Sequence, residues 1–451
     1  MRQHDSPAPR NARICRGAAR PGQQPVRRAA HRLGPALSAT GLAASTRLLL
    51  GGLAWLTGCF LLVWIFFTPP PSGPPQDAAP FLGPAPLPTT VPRADTMGRL
   101  DALVAQTLPL ALPRARWQRT LVPPKDAPAD LPLREDITPR RYTVTGPCAP
   151  LRLGLALLAA VRATAWPASP AAGVPDVVWS RAGVLEIRVN GRASHSFHFP
   201  GREGVLMDLA QPPALPAMAV VMDDMGQSLE AAQALAALPF PVTLAIWPHA
   251  PLAAETARLA EERRMDSLVH LPMEALPRPD GRRPDPGRGA LLTHMDAHHL
   301  SLTLEEDLQS LPTAIGLNNH MGSAFTGNAD ACRRLCALLA GRGYLVLDSV
   351  TRPQARLAAA AREAGLIAVA RDVFLDTRRE TRAVLQALDA AARTARRQGW
   401  AVAIGHPYGA TLAALRAWPD AGGVALVPLR RLVWHWARQH YAHPPIHPNK
   451  E

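Results

Sequence analysis

Lysine is almost missing from this chain. Of its 49 basic residues only Lys125 and Lys450 are lysines. Such usage accompanies an Ala- and Pro-rich composition and is no sign of selection for bidentate phosphate contacts. Cysteine is scarce too: five are spread over 451 residues, at 15, 59, 148, 332 and 336, with no CxxC spacing. That excludes a disulfide framework and a cysteine zinc site, and leaves buried, inert thiols as the expectation. There is no Gly-X-Y period, which excludes collagen. Hydrophobic residues nevertheless make up 47%, enough for a real core. The length suits about two or three domains.

The net charge of +14 is unevenly placed. Residues 1–47 hold nine Arg and one acid, Asp5, and so carry +8 of it. The remaining 404 residues are only modestly basic, and no nucleic-acid motif follows, so the chain is not read as a nucleic-acid binder. The basic tail ends at Leu48–Phe67, 20 residues without a charge. As a helix this run would span ~30 Å, one hydrocarbon core. A cleaved signal peptide would have a shorter apolar stretch ending in small residues. A transmembrane anchor at 48–67 is therefore expected, with the Arg-rich tail cytoplasmic and everything beyond residue 68 extracytoplasmic, in the periplasm. Ten prolines between 69 and 92 predict an extended spacer over 68–97.

Two regions follow. Residues 98–214 read as a small α+β domain of unassigned role. Its marks are helical spacing over 97–112, a buried helix over 151–165, and a hairpin over 184–199 turning at Asn190-Gly191. His195 and His198 on that hairpin are expected to be exposed polar residues. Residues 217–432 alternate short apolar runs with Ala/Leu/Arg-rich helical stretches. The eight runs are 218–222, 242–246, 267–269, 314–317, 344–347, 367–370, 401–404 and 424–427. This is the pattern of a parallel α/β sheet, closed or nearly closed as a (β/α) barrel. Residues 433–451 are expected to form a tail.

In such barrels chemistry collects at the C-terminal strand ends, and here those ends carry the polar residues. They are Asp223-Asp224, Trp247-Pro248-His249, His270 to Glu274, Asn318-Asn319-His320, Asp348-Ser349, Arg371-Asp372 with Asp376, and His406. Asp224, His270 and His320 could form a His₂Asp site for a divalent metal, zinc foremost. Asp223 could then take a proton from water, and His406 could protonate a leaving group.

The segments MDDMG (222–226), HLPME (270–274), NNHMGS (318–323), LDS (347–349), RDVFLD (371–376) and IGHP (404–407) resemble, in order, the divergent polysaccharide deacetylase family, a distant relative of the NodB-type carbohydrate esterases. The resemblance implies a distorted (β/α) barrel of seven or eight strands. It implies metal-dependent removal of acetyl groups from a polysaccharide or peptidoglycan-type glycan. It makes Asp223 the base, Asp224 and His270 metal ligands, and His406 the general acid. The second His of the related HxxxH motif is replaced by Glu274, so the third ligand is His320, Glu274 or both. Asn318 and Asn319 are candidates for holding ligands or substrate, and Arg371 with Asp372 for orienting the base. A backbone N–H near Met273 or Glu274 could stabilise an oxyanion. The alternative to a membrane-anchored hydrolase is a non-catalytic glycan-binding or envelope-assembly protein on the same scaffold.

Overall fold

The computed structural model describes residues 94–123, 134, 137–166, 173–418 and 423–440. The basic tail, the apolar run 48–67, almost all of the proline-rich segment and residues 441–451 lie outside the described residues. Among the described residues no helix is long and apolar enough to cross a membrane.

The first region opens with helix α1 (Ala94–Ala111), which begins inside the expected spacer. There follow β1 (Arg116–Leu121), β2 (Arg140–Thr145), α2 (Pro150–Ala163), β3 (Asp176–Trp179), β4 (Leu185–Val189) and β5 (Arg192–His198). The strands form one sheet in the order β1-β2-β5-β4-β3. Asn190 (φ 52°) and Gly191 (φ 76°) turn the β4–β5 hairpin, both in the left-handed region that a two-residue turn of this hand requires. Helix α2 is apolar nearly all round, as a buried helix should be. Pro150 through Leu158 are all buried.

After α3 (Glu203–Leu206), the second region comprises β6 (Ala217–Met225), α4 (Leu229–Ala236), β7 (Thr243–Ile246), α5 (Ala253–Glu262), β8 (Ser267–Met273), α6 (Ala297–Ser310), β9 (Gly316–Met321) and α7 (Ala329–Leu339). It continues with β10 (Leu345–Asp348), α8 (Leu357–Glu363), β11 (Ala368–Ala370), β12 (Val373–Phe374), α9 (Thr381–Gln398), β13 (Trp400–Gly405), α10 (Gly409–Ala417), β14 (Ala425–Leu426) and α11 (Leu429–His440). All eight apolar runs appear as strands, with the two-residue β12 in addition. Helix α11 crosses the expected boundary at 432, because Leu429, Leu432, Val433 and Trp434 are buried.

The sheet is parallel and curled, a half-barrel with order β11-β10-β9-β8-β7-β6-β13-β12, and β14 pairs with β6. Its ladder does not close. Its two edge strands nevertheless belong to one stretch of chain. The Arg371 amide donates to Asp348 O on one side, and the next amide, that of Asp372, donates to Val402 O on the other.

Side chains alternate across the strands. Met218, Val220, Met222, Leu244, Val269, Leu317 and Val346 pack with the helices in one apolar cluster. Ala217, Ala219, Val221, Ala245, Leu268, Leu345, Leu347, Val402 and Ile404 cluster instead with the core of the first region, including Leu151, Leu153 and Phe197. The inner face of the barrel and the small domain therefore share one core. At ~1.5–3 kcal/mol per fully buried Leu, α2 is a main fastening between the two. Gly316 permits close strand approach: a Cβ there would lie 2.4 Å from Leu345 O.

Candidate metal centre

Following the inner column of each strand to its C-terminal end gives the site. Ala217-Ala219-Val221 leads to Asp223, Leu268 to His270, Gly316 to Asn318 and His320, Leu345-Leu347 to Ser349, and Val402-Ile404 to His406. Small and apolar residues fill the columns below, and polar residues top each, two of them on β9. Asp224 breaks the alternation. A register shift between Met222 and Met225 and a left-handed φ of 57° at Asp224 turn its carboxylate toward the same centre as Asp223. That conformation costs a non-glycine residue roughly 1–2 kcal/mol, which the surrounding core must offset.

Asp224 Oδ1 lies 3.2 Å from His270 Nε2 and 3.0 Å from His320 Nδ1. The two ring nitrogens are 3.2 Å apart. Three donors in a near-equilateral triangle of this size match one face of a tetrahedron with bonds of about 2.0–2.1 Å. Trp247 Nε1 donates to Asp224 Oδ1 over 3.1 Å, and its ring meets His320 edge-on at 4.5 Å. Burial raises the Asp224 carboxyl, but hydrogen bonds from His270 and His320 outweigh it and hold the group well below the usual carboxylate range. Burial also lowers both imidazoles. For His270 the charges of Asp223 and Asp224 reverse this and push it up, whereas His320 stays below its ordinary value. Two adjacent rings do not both take a proton readily. His320 Nε2 is buried without a hydrogen-bond partner, and among the described residues no Arg or Lys pairs with Asp223 or Asp224. The donor set, two imidazoles and a carboxylate with uncompensated negative charge, fits a divalent cation.

Asp223 is 3% exposed, and burial raises its carboxyl above 3.8. Asn318 joins it to the ligand shell. Its Nδ2 donates to Asp223 Oδ1 at 2.7 Å, and its Oδ1 lies 2.9 Å from His270 Nδ1. That second contact places the proton on Nδ1 and leaves Nε2 free as a ligand. On the opposite side His406 Nε2 is 3.7 Å from Asp224 Oδ2. His406 Nδ1 is 3.0 Å from Asp376 Oδ1. Burial pushes His406 down, but the Asp376 bond and charge prevail and raise it. Asp376 Oδ2 also accepts from Thr411 Oγ1 and the His406 amide.

Other expected residues lie elsewhere. Glu274 is not at the centre: its carboxylate accepts from the Thr293 amide and hydroxyl and pairs with Arg283. The Glu274 amide, expected to face an oxyanion, donates to Leu291 O. Asp372 accepts from the Val402 amide and Gln398, which bond it to the sheet edge. Arg371 donates to the Ser349 and Val350 carbonyls, so it fixes the loop bearing Ser349, while Asn318 contacts the Asp223 carboxylate. Asn319 accepts from the Ser349 amide and fastens two strand ends. His195, expected to be exposed, is fully buried and bonds Asp101 and Ser194. Trp247, Ser349 and Asp376 carry structural roles at the centre that sequence reasoning left unassigned. Their position at strand ends was the signal that could have found them.

The model of the divergent polysaccharide deacetylase family matches residues 220–433. The uncharacterized protein YibQ of Escherichia coli strain K12 is 30% identical over 223 residues, covering 48% of this chain and 68% of the relative. An uncharacterized protein of Haemophilus influenzae is 34% identical over 200 residues, covering 44% and 70%. A solved structure, an uncharacterized protein of Agrobacterium tumefaciens, shares 25% identity over 48% of this chain and 88% of its own, with a TM-score of 0.45. With the motifs in register and relatives matched over two thirds of their length, this chain belongs to the divergent polysaccharide deacetylase family.

Proposed function

We propose that this protein is a metal-dependent hydrolase that removes acetyl groups from an extracytoplasmic polysaccharide, held at the cytoplasmic membrane by residues 48–67. The observation that carries the reading is the convergence of Asp224, His270 and His320, flanked by Asp223 on one side and His406 on the other. Asp224 Oδ1, His270 Nε2 and His320 Nδ1 would hold the cation, zinc foremost. Such a cation would polarise the acyl carbonyl and activate water. Asp223, as the carboxylate, takes a proton from water at its free oxygen, and burial raises its affinity for that proton. Asn318 fixes the other oxygen and so aims the base. His406 gives its Nε2 proton to the departing amine or hydroxyl. Asp376 holds Nδ1 and stabilises the charged ring before that transfer. The Arg-rich tail and the proline segment support the membrane placement.

The test is acetate release from an acetylated chito-oligosaccharide or peptidoglycan by the purified chain, before and after chelation. Release that stops on chelation and returns with added zinc is expected. A fully metal-loaded protein that releases no acetate from either would overturn the reading and favour a glycan-binding role.

A further inference from the structure

Beside the general acid is a stack that the proposed chemistry does not use. The Tyr408 ring lies on the His406 ring, with centroids 5.2 Å apart and planes within 24°. The Arg379 guanidinium also lies over the Tyr408 ring, 3.9 Å from its centroid, and its Nη2 donates to Tyr408 Oη at 2.8 Å. Phe374 meets His406 edge-on. Tyr408 thus touches both His406 and an exposed cation, Arg379.

The charges around the rim are asymmetric. On the long loop after β8, three of four arginines, Arg282, Arg283 and Arg288, are paired with Asp280, Glu274 and Glu306, and Arg278 forms no ion pair among the described residues. On the opposite rim, Arg352, Arg378 and Arg379 form no ion pair among the described residues, and Arg352 donates to Ser323 O and Gln354. Nearby carboxylates are already engaged: Asp348 by the Val350 and Ala358 amides, Asp372 by Val402, and Asp376 by His406. Only Glu380 is exposed there. Arg379 keeps donors to spare, and a guanidinium preorganised on an aromatic face suits carboxylate or phosphate.

We propose that Arg379 on Tyr408 is a specificity-determining subsite for an anionic group of the glycan, a carboxylate or phosphate close to the acyl group. The proposal rests on the hydrolase reading for its placement beside the acid, and it names the substrate class as an acidic glycan.

Calorimetric binding to the full chain tests it. The ligands are a neutral chito-oligosaccharide, an N-acetylated oligosaccharide bearing uronates, and one bearing phosphates, matched in length. One charged ligand is expected to bind roughly tenfold tighter than the neutral one at low salt, with the margin shrinking as salt rises. The tighter of the two charged ligands assigns carboxylate or phosphate. Arg379→Gln should remove most of the preference. Arg379→Lys should keep part of it, since charge remains while the fork is lost. Equal affinity for neutral and charged ligands, or a preference that survives Arg379→Gln, overturns the subsite. Acetate release is recorded on the same ligands. Release without charge preference sinks the subsite alone, and preference without release sinks the hydrolase reading alone.

Discussion

Two buried clusters in this protein each join histidine to aspartate, and they differ in what completes them. In the small domain Asp101 accepts from Arg140 Nε at 2.8 Å and from Arg140 Nη2, and lies 3.1 Å from His195 Nε2. His195 Nδ1 meets Ser194 Oγ. Burial raises Asp101, but His195 and Arg140 outweigh it and lower it. Burial lowers His195, and Asp101 does not fully compensate. The guanidinium supplies the counter-charge, so the cluster is complete within the protein. In the barrel Asp224, His270 and His320 face one another with no Arg or Lys paired to them among the described residues, and His320 Nε2 has no partner. Both clusters are chains of titratable residues with similar distances. Among the described residues only the second has no Arg or Lys paired with its aspartate, and that suits a bound cation.

This comparison breaks if the barrel cluster is complete without metal. Asp224→Ala or His270→Ala should take the bound metal from about one equivalent to none, by elemental analysis of the purified chain, because three protein ligands leave no redundancy. Metal content unchanged in either variant would make the two clusters equivalent. Asp223→Asn sharpens the contrast inside the barrel. It should keep the metal and lose ~10²–10⁴-fold in turnover, the usual worth of a positioned base.

On the structural side, Asp101→Ala should leave metal content unchanged and destabilise the chain. Breaking a buried pair costs about 3–5 kcal/mol, and the 26% exposure of the Asp101 side chain brings this to roughly 2 kcal/mol. Thermal melting measures it. Since Asp101 is lowered from 3.8, its contribution is present above that pH and is lost as pH falls through the lower folded value. The smallest effect is on pH dependence. With His406 raised by Asp376, activity should fall as pH rises through the His406 value. Asp376→Asn should shift that alkaline limb to lower pH, as expected for removal of one close charge.

Much of this was legible in the sequence because strand ends repeat one rule: an apolar run, then a polar residue. Asp223, Asp224, His270, His320 and His406 followed from it. Glu274 did not, for a reason of length. It stands four residues after His270, but β8 runs to Met273 before the chain leaves the ladder, and four residues of strand cover ~13 Å. His320 is instead opposite Pro272 on the neighbouring strand, so the nearer partner comes from register, which one sequence does not show. Arg371 and Asp372, though adjacent, serve different strands: Arg371 reaches Asp223 only through Ser349 and Asn318, and Asp372 bonds the β13 edge. His195 misled because β5 proved to be an inner strand of its sheet, where a hairpin alone suggests an edge. The buried Asp266–Arg430 pair, with partners 164 residues apart, carries no local signal at all.

The unclosed ladder at Arg371-Asp372 has a mechanical meaning. Upstream of it, Arg371 grips the loop of Ser349, which meets the Asn318 side chain that holds Asp223. Downstream, Asp376 grips His406. One bank thus reaches the side chain that fixes Asp223 and the other holds His406, and a single peptide linkage joins the two banks. Asp223 and His406 themselves follow paired residues, Met222 and Gly405, on adjacent strands, so a change at residues 370–373 would reach them only through the side chains that hold them, Asn318 and Asp376.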